Sequence, residues 1–232
     1  MNISAVVLCA GKGTRMLPLT ETRPKPLQVV AGKSLLAWKL DALPDAVNEI
    51  VLVIGHQGDQ IQNEIRDKWN GKTVRYVIQK ELNGTAGALL AAKDILPERF
   101  LVLNGDDLYA NEDMEKLMAL DWGICVTEIL NKEMKGEVLT NSPENFIGIN
   151  EEVHFVKQGY ANTGLYMLRH EILNIPPVPI GGSSTEFGLP HTLAVIAKHT
   201  PVQLIKTNKW MQITTPEDLK NAENLFDKYK FI

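Results

Sequence analysis

The chain has only two cysteines, Cys9 and Cys125, in 232 residues. That scarcity excludes a disulfide framework and a cysteine-rich metal site, and it points to an intracellular setting. No apolar run reaches the roughly 18 residues of a membrane span, and the apolar start of the chain is too short for a signal peptide. A soluble, cytoplasmic protein without a membrane partner is expected. Positive charge is not in excess either: 24 Lys and Arg stand against 28 Asp and Glu, a formal net charge of -4. This argues against nucleic acid or another polyanion held by bulk electrostatics. None of the five histidines falls in a metal-ligand spacing with another, and Ser, His and Asp assemble no nucleophilic motif, so no covalent intermediate is implied. Linkers, repeats and low-complexity segments are also missing, which leaves one domain over residues 1–232.

What is present is an alternation of two patterns. Residues 3–8, 50–54, 74–78 and 100–103 are short, nearly continuous runs rich in Val, Ile and Leu, as buried parallel strands should be. Between them, residues 34–43, 57–68 and 85–96 carry helical spacing. A β-α-β-α-β-α-β first half is predicted over about residues 1–120, with right-handed crossovers. From Asp121 the pattern loosens into shorter strands around Ile124, Val138, Phe146, Val153 and Leu165, some of them antiparallel. A helix over residues 190–198, a strand over 202–205 and a last helix over 216–229 complete the second half. The fold class is therefore α/β: a three-layer, Rossmann-like, mixed and mostly parallel sheet with helices on both faces. The Pro-rich residues 175–180 and the Gly181-Gly182-Ser183-Ser184 that follow read as one mobile surface loop.

Ligands of open α/β sheets collect beyond the carboxyl ends of the strands. The loop after the first strand runs Cys9-Ala10-Gly11-Lys12-Gly13-Thr14-Arg15-Met16 and continues to Pro24-Lys25-Pro26. Its glycines let the backbone turn tightly and offer N–H groups to a phosphate. Arg15 and Lys25 add positive charge, and the prolines around Lys25 stiffen its backbone. A dinucleotide fingerprint is excluded because its third glycine would fall at Met16. A P-loop is excluded because the pattern ending at Gly32-Lys33-Ser34 would need its first glycine at Leu27. Taken alone, Gly-x-Gly fits a plain tight turn equally well.

The whole string is more specific. Gly11-x-Gly13-Thr14-Arg15-Met16, then Pro18-x-Thr20, then Pro24-Lys25-Pro26 closely resembles the signature of the sugar-1-phosphate nucleotidyltransferase family. The resemblance implies that Gly11 and Gly13, with Leu8, Ala10 and Thr14 beside them, wrap an NTP triphosphate. Arg15 would contact its phosphates, and Lys25 would reach the reacting one. Gln79-Lys80-Glu81-Leu82-Asn83-Gly84-Thr85-Ala86 resembles the family's base-recognition segment, with Gln79 reading the base edge and Gly84 and Thr85 packing near the nucleoside. An amide supplies both a donor and an acceptor for that task. Gln79 could also be a surface residue, and Thr85 reads as a helix N-cap as well. These details are most similar to compact hexose-1-phosphate uridylyltransferases, which implies UTP, with dTTP next. Asn104-Gly105-Asp106-Asp107 follows a buried strand, and hard carboxylate oxygens there suit Mg²⁺. Asp106 aligns with the family's metal-binding aspartate, whereas Asp107 reads equally well as a turn residue.

On the sugar side, the family likeness implies roles for Asn104, for Asn162 and Thr163 in Asn162-Thr163-Gly164, and for Gly136, where a sugar ring can approach backbone. Lys157 stands in a shortened version of a segment whose lysine binds the sugar phosphate in relatives; it also reads as a surface lysine. Gln212 occupies the position of a second metal-binding aspartate. An amide oxygen binds Mg²⁺ more weakly, so either the site tolerates it or catalysis is impaired. Thr215 and Pro216 read as a helix N-cap and first-turn proline, and Glu217 and Asp218 as first-turn acids. His56 reads as a loop residue packed near the site. The implied reaction is in-line attack of a sugar-1-phosphate oxygen on the NTP α-phosphorus, with pyrophosphate leaving. Arg15, Lys25 and Asp106 would be its catalytic residues and Mg²⁺ its cofactor. Two other classes stay open: a noncatalytic NTP- or NDP-sugar-binding regulator, and a nucleotide-sugar-dependent glycosyltransferase. A homo-oligomer is also left open.

Overall fold

The computed structural model describes residues 3–181 and 184–229, without the side chains of 225–229. Its first half runs β1 (Ile3–Cys9), a small hairpin of β2 (Val29–Val30) and β3 (Lys33–Ser34), α1 (Leu35–Asp41), β4 (Val47–Ile54), α2 (Gly58–Ile65), β5 (Lys68–Trp69), β6 (Lys72–Ile78), α3 (Thr85–Ala91) and β7 (Arg99–Asn104). The second half runs α4 (Asn111–Met118), β8 (Gly123–Met134), β9 (Glu137–Ser142), β10 (Asn145–Asn150), β11 (His154–Arg169), α5 (Leu189–Ala197), β12 (Val202–Thr207) and α6 (Pro216–Tyr229). Among the described residues one ten-stranded mixed sheet forms, in the order β5-β6-β4-β1-β7-β11-β8-β12-β10-β9.

The central strands β6, β4, β1 and β7 are parallel neighbours. Successive residues on them feed opposite faces. Ala5, Val7, Leu52, Leu101 and Leu103 enter one core with Leu36 and Leu40 of α1, Ile61 of α2 and Met114 of α4. Val6, Val51, Val53 and Val102 enter the other, with Leu89 of α3 and Leu193 of α5. Burial on both faces is why β1, β4 and β7 read as continuous apolar runs; β6, expected to be buried as well, lies next to the edge strand β5 and buries only Val74, with Ile78 64% exposed. The chain winds outward from β1 through β4 to β6, then returns to place β7 on the far side of β1. That reversal sets a switch point between β1 and β7, where the loops leaving their carboxyl ends diverge and open a crevice.

The second half departs from the expected run of short strands. Val153 and Leu165 do not mark two strands: Val153 lies just outside β11 and is 71% exposed, and Leu165 lies inside the same 16-residue β11. The strand stays unbroken because it pairs antiparallel with β8 along most of its length and with β7 at its end. A bulge interrupts the ladder where Asn162 lies opposite Val126 but Tyr166 lies opposite Ile124, four residue steps facing two. Extra residues of this kind bend a strand and re-aim its side chains. Of the expected surface loop, Gly182 and Ser183 lie outside the described residues.

Candidate active site

The crevice between the ends of β1 and β7 holds a cavity of about 570 Å³. Its walls are built by the three strand-end segments singled out from the sequence, together with Ile180 of the expected surface loop, Glu186 just beyond it, and Thr214 beside Gln212.

The glycine loop is fixed from beneath. Met16, fully buried, packs with Val30, Leu35, Leu108, Met211 and Ile213 in a small core of its own, an anchor of roughly 1.5–3 kcal/mol for a side chain of this size. Gly13 sits at φ 64°, and a Cβ there would meet the Thr20 and Lys25 side chains at 3.0 and 3.1 Å. The Thr20 hydroxyl donates to the Gly13 carbonyl at 2.9 Å, and the Gln28 amide donates to the Leu19 and Arg23 carbonyls. Gly11, by contrast, has open space around it, so its backbone is accessible from the cavity. Leu8, Ala10, Gly11, Gly13, Thr14 and Arg15 all line the wall. His56 packs close by, its backbone N–H donating to the Ala10 carbonyl at 3.2 Å.

Lys25 is 5% exposed, and its ammonium donates to Asp106 Oδ2 at 2.7 Å. Residues 81 positions apart thus meet because β1 and β7 are adjacent strands. The Asp106 side chain keeps 34% of its surface exposed. Mg²⁺ needs only one or two protein carboxylates when phosphate oxygens and waters complete its shell, and Asp106 offers that donor set at the mouth of a cavity flanked by N–H groups. Among the described residues no group of three His, Cys, Asp or Glu gathers for a metal, so any ion held here would take most of its ligands from substrate and water. Gln212 is exposed and does not line the cavity.

Asp107, left open as a turn residue, is buried and carries structural hydrogen bonds. Its Oδ1 accepts from the Ile213 amide and its Oδ2 from the Trp210 indole, both at 3.2 Å, beside reciprocal backbone bonds between Leu108 and Met211. Burial, and then the neighbouring Asp106 charge, push the Asp107 carboxyl up to about 8, against the pull of the Ile213 amide and of Lys39. Lys39 of α1 is itself fully buried, and burial drives its ammonium below the ordinary lysine value.

The base-side segment is corrected in one respect. Thr85 does not cap its own helix. Gly84 holds the N-cap position at φ 95°, where a Cβ would lie 2.4 Å from the Phe187 carbonyl oxygen. The Thr85 hydroxyl instead accepts from the Leu189 amide at 2.9 Å, so it serves the start of α5. Phe187 closes the junction, its N–H donating to the Asn83 carbonyl and its carbonyl accepting from Ala86. Gln79 is 6% exposed. Its amide nitrogen donates to Asn83 Oδ1 at 3.1 Å and to the Gly84 carbonyl at 3.3 Å, which leaves its carbonyl oxygen as the remaining hydrogen-bonding atom.

Of the sugar-side candidates, only Asn104 lines this cavity. A Cβ at Gly164 would lie 2.1 Å from Asn104 Nδ2, so the bulge in β11 is what seats Asn104. The Thr163 hydroxyl is buried and donates to the Cys125 carbonyl at 2.9 Å, while the Asn162 amide nitrogen donates to the Tyr166 hydroxyl at 2.6 Å. Gly136, at φ 83°, and the exposed Lys157 lie away from the cavity lining. Lining residues given no site role from the sequence are Cys9, Lys12, Pro26, Leu82, Ala88, Gly105, Ile180, Glu186 and Thr214. Ile180 and Glu186 belong to a loop whose place over the crevice depends on the long-range Phe187 contacts. The Pro-rich sequence marks a loop there, but nothing local places it at the cavity.

At the helix that ends the chain the expected cap is present. The Asp218 amide donates to the Thr215 hydroxyl, and Asp218 Oδ2 accepts from the Thr214 and Thr215 amides at 2.9 and 2.8 Å, a reciprocal capping box. Burial raises the Asp218 carboxyl, but the Thr215 and Thr214 amides outweigh it and hold the group below the usual carboxylate range. The cap holds Thr214 at the cavity wall. Among the described residues no helix is long and apolar enough to cross a membrane.

Residues 4–228 match the family model described as nucleotidyl transferase. The bifunctional protein GlmU of Methanocaldococcus jannaschii is 31% identical over 228 residues, covering 97% of this chain; the chain spans 55% of that relative's length. The UTP–glucose-1-phosphate uridylyltransferase AglF of Haloferax volcanii is 29% identical over 231 residues and covers 95% of both chains. Among solved structures, HddC from Yersinia pseudotuberculosis superposes with a TM-score of 0.74 at 26% identity, over 97% of this chain and 99% of that one.

Proposed function

The chain belongs to the nucleotidyl transferase family, and from that premise we propose that it joins the nucleoside monophosphate of an NTP to a sugar 1-phosphate, releasing pyrophosphate. The observation that carries the reading is the convergence, on one cavity, of the open Gly11 loop, the buried Lys25 held against Asp106, and Gln79. A sugar-1-phosphate oxygen is already an anion, so the site needs no general base. Its task is to bring two polyanions together in line. Lys25 leaves Asp106 for the transferring phosphoryl group, Arg15 and the loop N–H groups hold the remaining phosphates, and their fixed positions stabilise charge as it shifts to the leaving pyrophosphate. Asp106, with Gln212 as a second candidate, is the residue to hold Mg²⁺, which would neutralise phosphate oxygens in the same step.

For the base we propose UTP, with dTTP next. The Gln79 amide nitrogen is already engaged, so its carbonyl oxygen faces incoming bases as an acceptor. It accepts from the imide N–H of uracil or thymine, and it repels the ring-nitrogen acceptors that cytosine and adenine present at that edge. Guanine also carries a ring N–H there, so GTP is the competitor to test. The uridylyltransferase relative, similar across its whole length, supports the pyrimidine choice. The test is a matrix of UTP, dTTP, GTP, CTP and ATP against a panel of sugar 1-phosphates with Mg²⁺, scored by pyrophosphate release. Release with UTP in excess over CTP and ATP is expected. A second reading, a noncatalytic nucleotide-binding regulator, is favoured by the exposed amide of Gln212; tight UTP binding without pyrophosphate release from any pair would establish it instead.

A further inference from the structure

The stretch between the glycine loop and Lys25 has little apolar burial to hold it. Within residues 17–22 only Thr20 is buried, while Leu17, Leu19, Glu21 and Thr22 are exposed. One 3-10 turn over Leu19–Glu21 is its only regular structure, and segments of this kind open locally with small free energies. Its carbonyls are nevertheless all held. Those of Leu19 and Arg23 accept from the Gln28 amide at 3.2 and 2.8 Å. Those of Thr20 and Glu21 accept from the Gln57 amide nitrogen at 3.3 and 3.0 Å, and that of Thr22 accepts from the Gln60 amide nitrogen at 3.0 Å. Three glutamine side chains thus satisfy five successive carbonyls that an irregular segment would otherwise leave to solvent. Gln57 and Gln60 stand at the N-cap and in the first turn of α2, which reaches the loop because β4, the strand before it, is the neighbour of β1. Gln57 Oε1 is buried without a hydrogen-bond partner among the described residues, so the side chain contributes its donors. One turn further on, Glu64 pairs with Arg23 at 2.8 Å, but both side chains are partly exposed, at 33% and 43%, and such pairs add little.

We propose that Gln57 and Gln60 are positioning residues for the nucleotide site: they strap residues 20–22 to α2 and so hold Thr20 as the spacer between Gly13 and Lys25. Thr20 is the link because its hydroxyl donates to the Gly13 carbonyl, and its side chain and the Lys25 stem both close on Gly13. Released from the strap, the loop would spend only part of its time in the arrangement the NTP requires, and affinity falls in proportion to the competent fraction. Bound NTP would restore that arrangement, so the rate at saturation is kept. The strap acts from outside the cavity, since neither glutamine lines it.

The test uses the full chain and four variants: Gln57→Ala, Gln57→Ala with Gln60→Ala, Gln57→Glu, which keeps the shape but loses the donors, and Gln57→Lys, which restores donors. The first readout is amide exchange without substrate, and it is independent of the nucleotidyltransferase reading on which the kinetic arm rests. In the paired variant, exchange should speed by at least about tenfold at Glu21 and at Gln28. Their N–H groups donate to the Pro18 and Lys25 carbonyls. Val51, in the core of β4, should stay within about twofold. In the kinetic arm, pyrophosphate release from UTP and a sugar 1-phosphate with Mg²⁺ should show the KM for UTP raised at least about tenfold and kcat changed less than about threefold. Gln57→Glu should follow Gln57→Ala in both arms, and Gln57→Lys should recover most of the unaltered values. Unchanged exchange at Gln28, exchange that speeds equally at Val51, a loss confined to kcat, or a Gln57→Glu variant that behaves as the unaltered protein would each overturn the proposal. If the paired variant does not fold, Gln57→Ala and Gln57→Glu carry the same comparison of Glu21, Gln28 and Val51. If the unaltered chain releases no pyrophosphate with any pair, the proposed reaction fails and the exchange arm alone decides the strap.

Discussion

The two halves of the sheet solve different problems. On the β1–β7 side, parallel strands buried on both faces end in loops, and the candidate nucleotide groups stand on those loops. On the β8–β11 side, long antiparallel strands run past the core and expose Leu130 and Phe155, and the groups facing the crevice are few. A parallel βαβ arrangement gathers strand ends from distant parts of the sequence at one edge, so a cation and a carboxylate 81 residues apart become a pair at 2.7 Å. An antiparallel extension lays its residues along a ribbon, and it reaches the site only indirectly, where Gly164 in the bulge at Asn162–Tyr166 packs against Asn104.

The sharpest way to break this comparison is at Lys25. Lys25→Ala should lower turnover by at least about two orders of magnitude, the usual cost of losing one electrostatic stabiliser of a transition state; pyrophosphate release under saturating substrates measures it, and a near-normal rate would remove Lys25 from the mechanism. The junction between the halves comes next. Gly84→Ala forces a side chain into the left-handed region and against the Phe187 backbone, so a loss of about 2–4 kcal/mol in urea unfolding is expected. A loss much below that would mean that the Phe187 turn yields easily and that the halves are only loosely joined. The smallest effect belongs to the antiparallel side. The Glu152 carbonyl at 2.8 Å and then Glu137 at 2.6 Å push His154 up from its ordinary value of 6.5. A group raised on folding stabilises fully below its unfolded value and loses that contribution as pH rises through its folded value. His154→Gln should therefore lower the thermal midpoint more below about pH 6 than above about pH 8, with little effect on nucleotide binding.

The same division governs what could be read beforehand. Strands β1, β4 and β7 are legible because each is continuous in sequence and its burial is written locally as apolar runs; β6 is placed by the same signal, though the structure buries only Val74 of it. Thr85 is not, because the group it serves lies 104 residues away at Leu189. Nor are Ile180 and Glu186, whose place at the cavity depends on the Phe187 turn. Lys39 is hidden for a different reason: within a helical pattern a lysine marks a solvent face, whereas this one is 1% exposed. The length of β11 is hidden because polar residues on its outer stretch look like a break, while the ladder with β8 holds it as one strand.

The Phe187 turn also fixes what can be exchanged between relatives. Asn83, Ala86 and Thr85 each bond to the turn or to the helix it opens, so the stretch proposed to face the base and the loop that meets it form one graft. A chimera that imports residues 79–86 alone would leave those bonds without matching partners. One that imports residues 186–189 with them carries the joint intact, so if residues 79–86 select the base as proposed, the smallest transferable unit of that choice is two segments about a hundred residues apart.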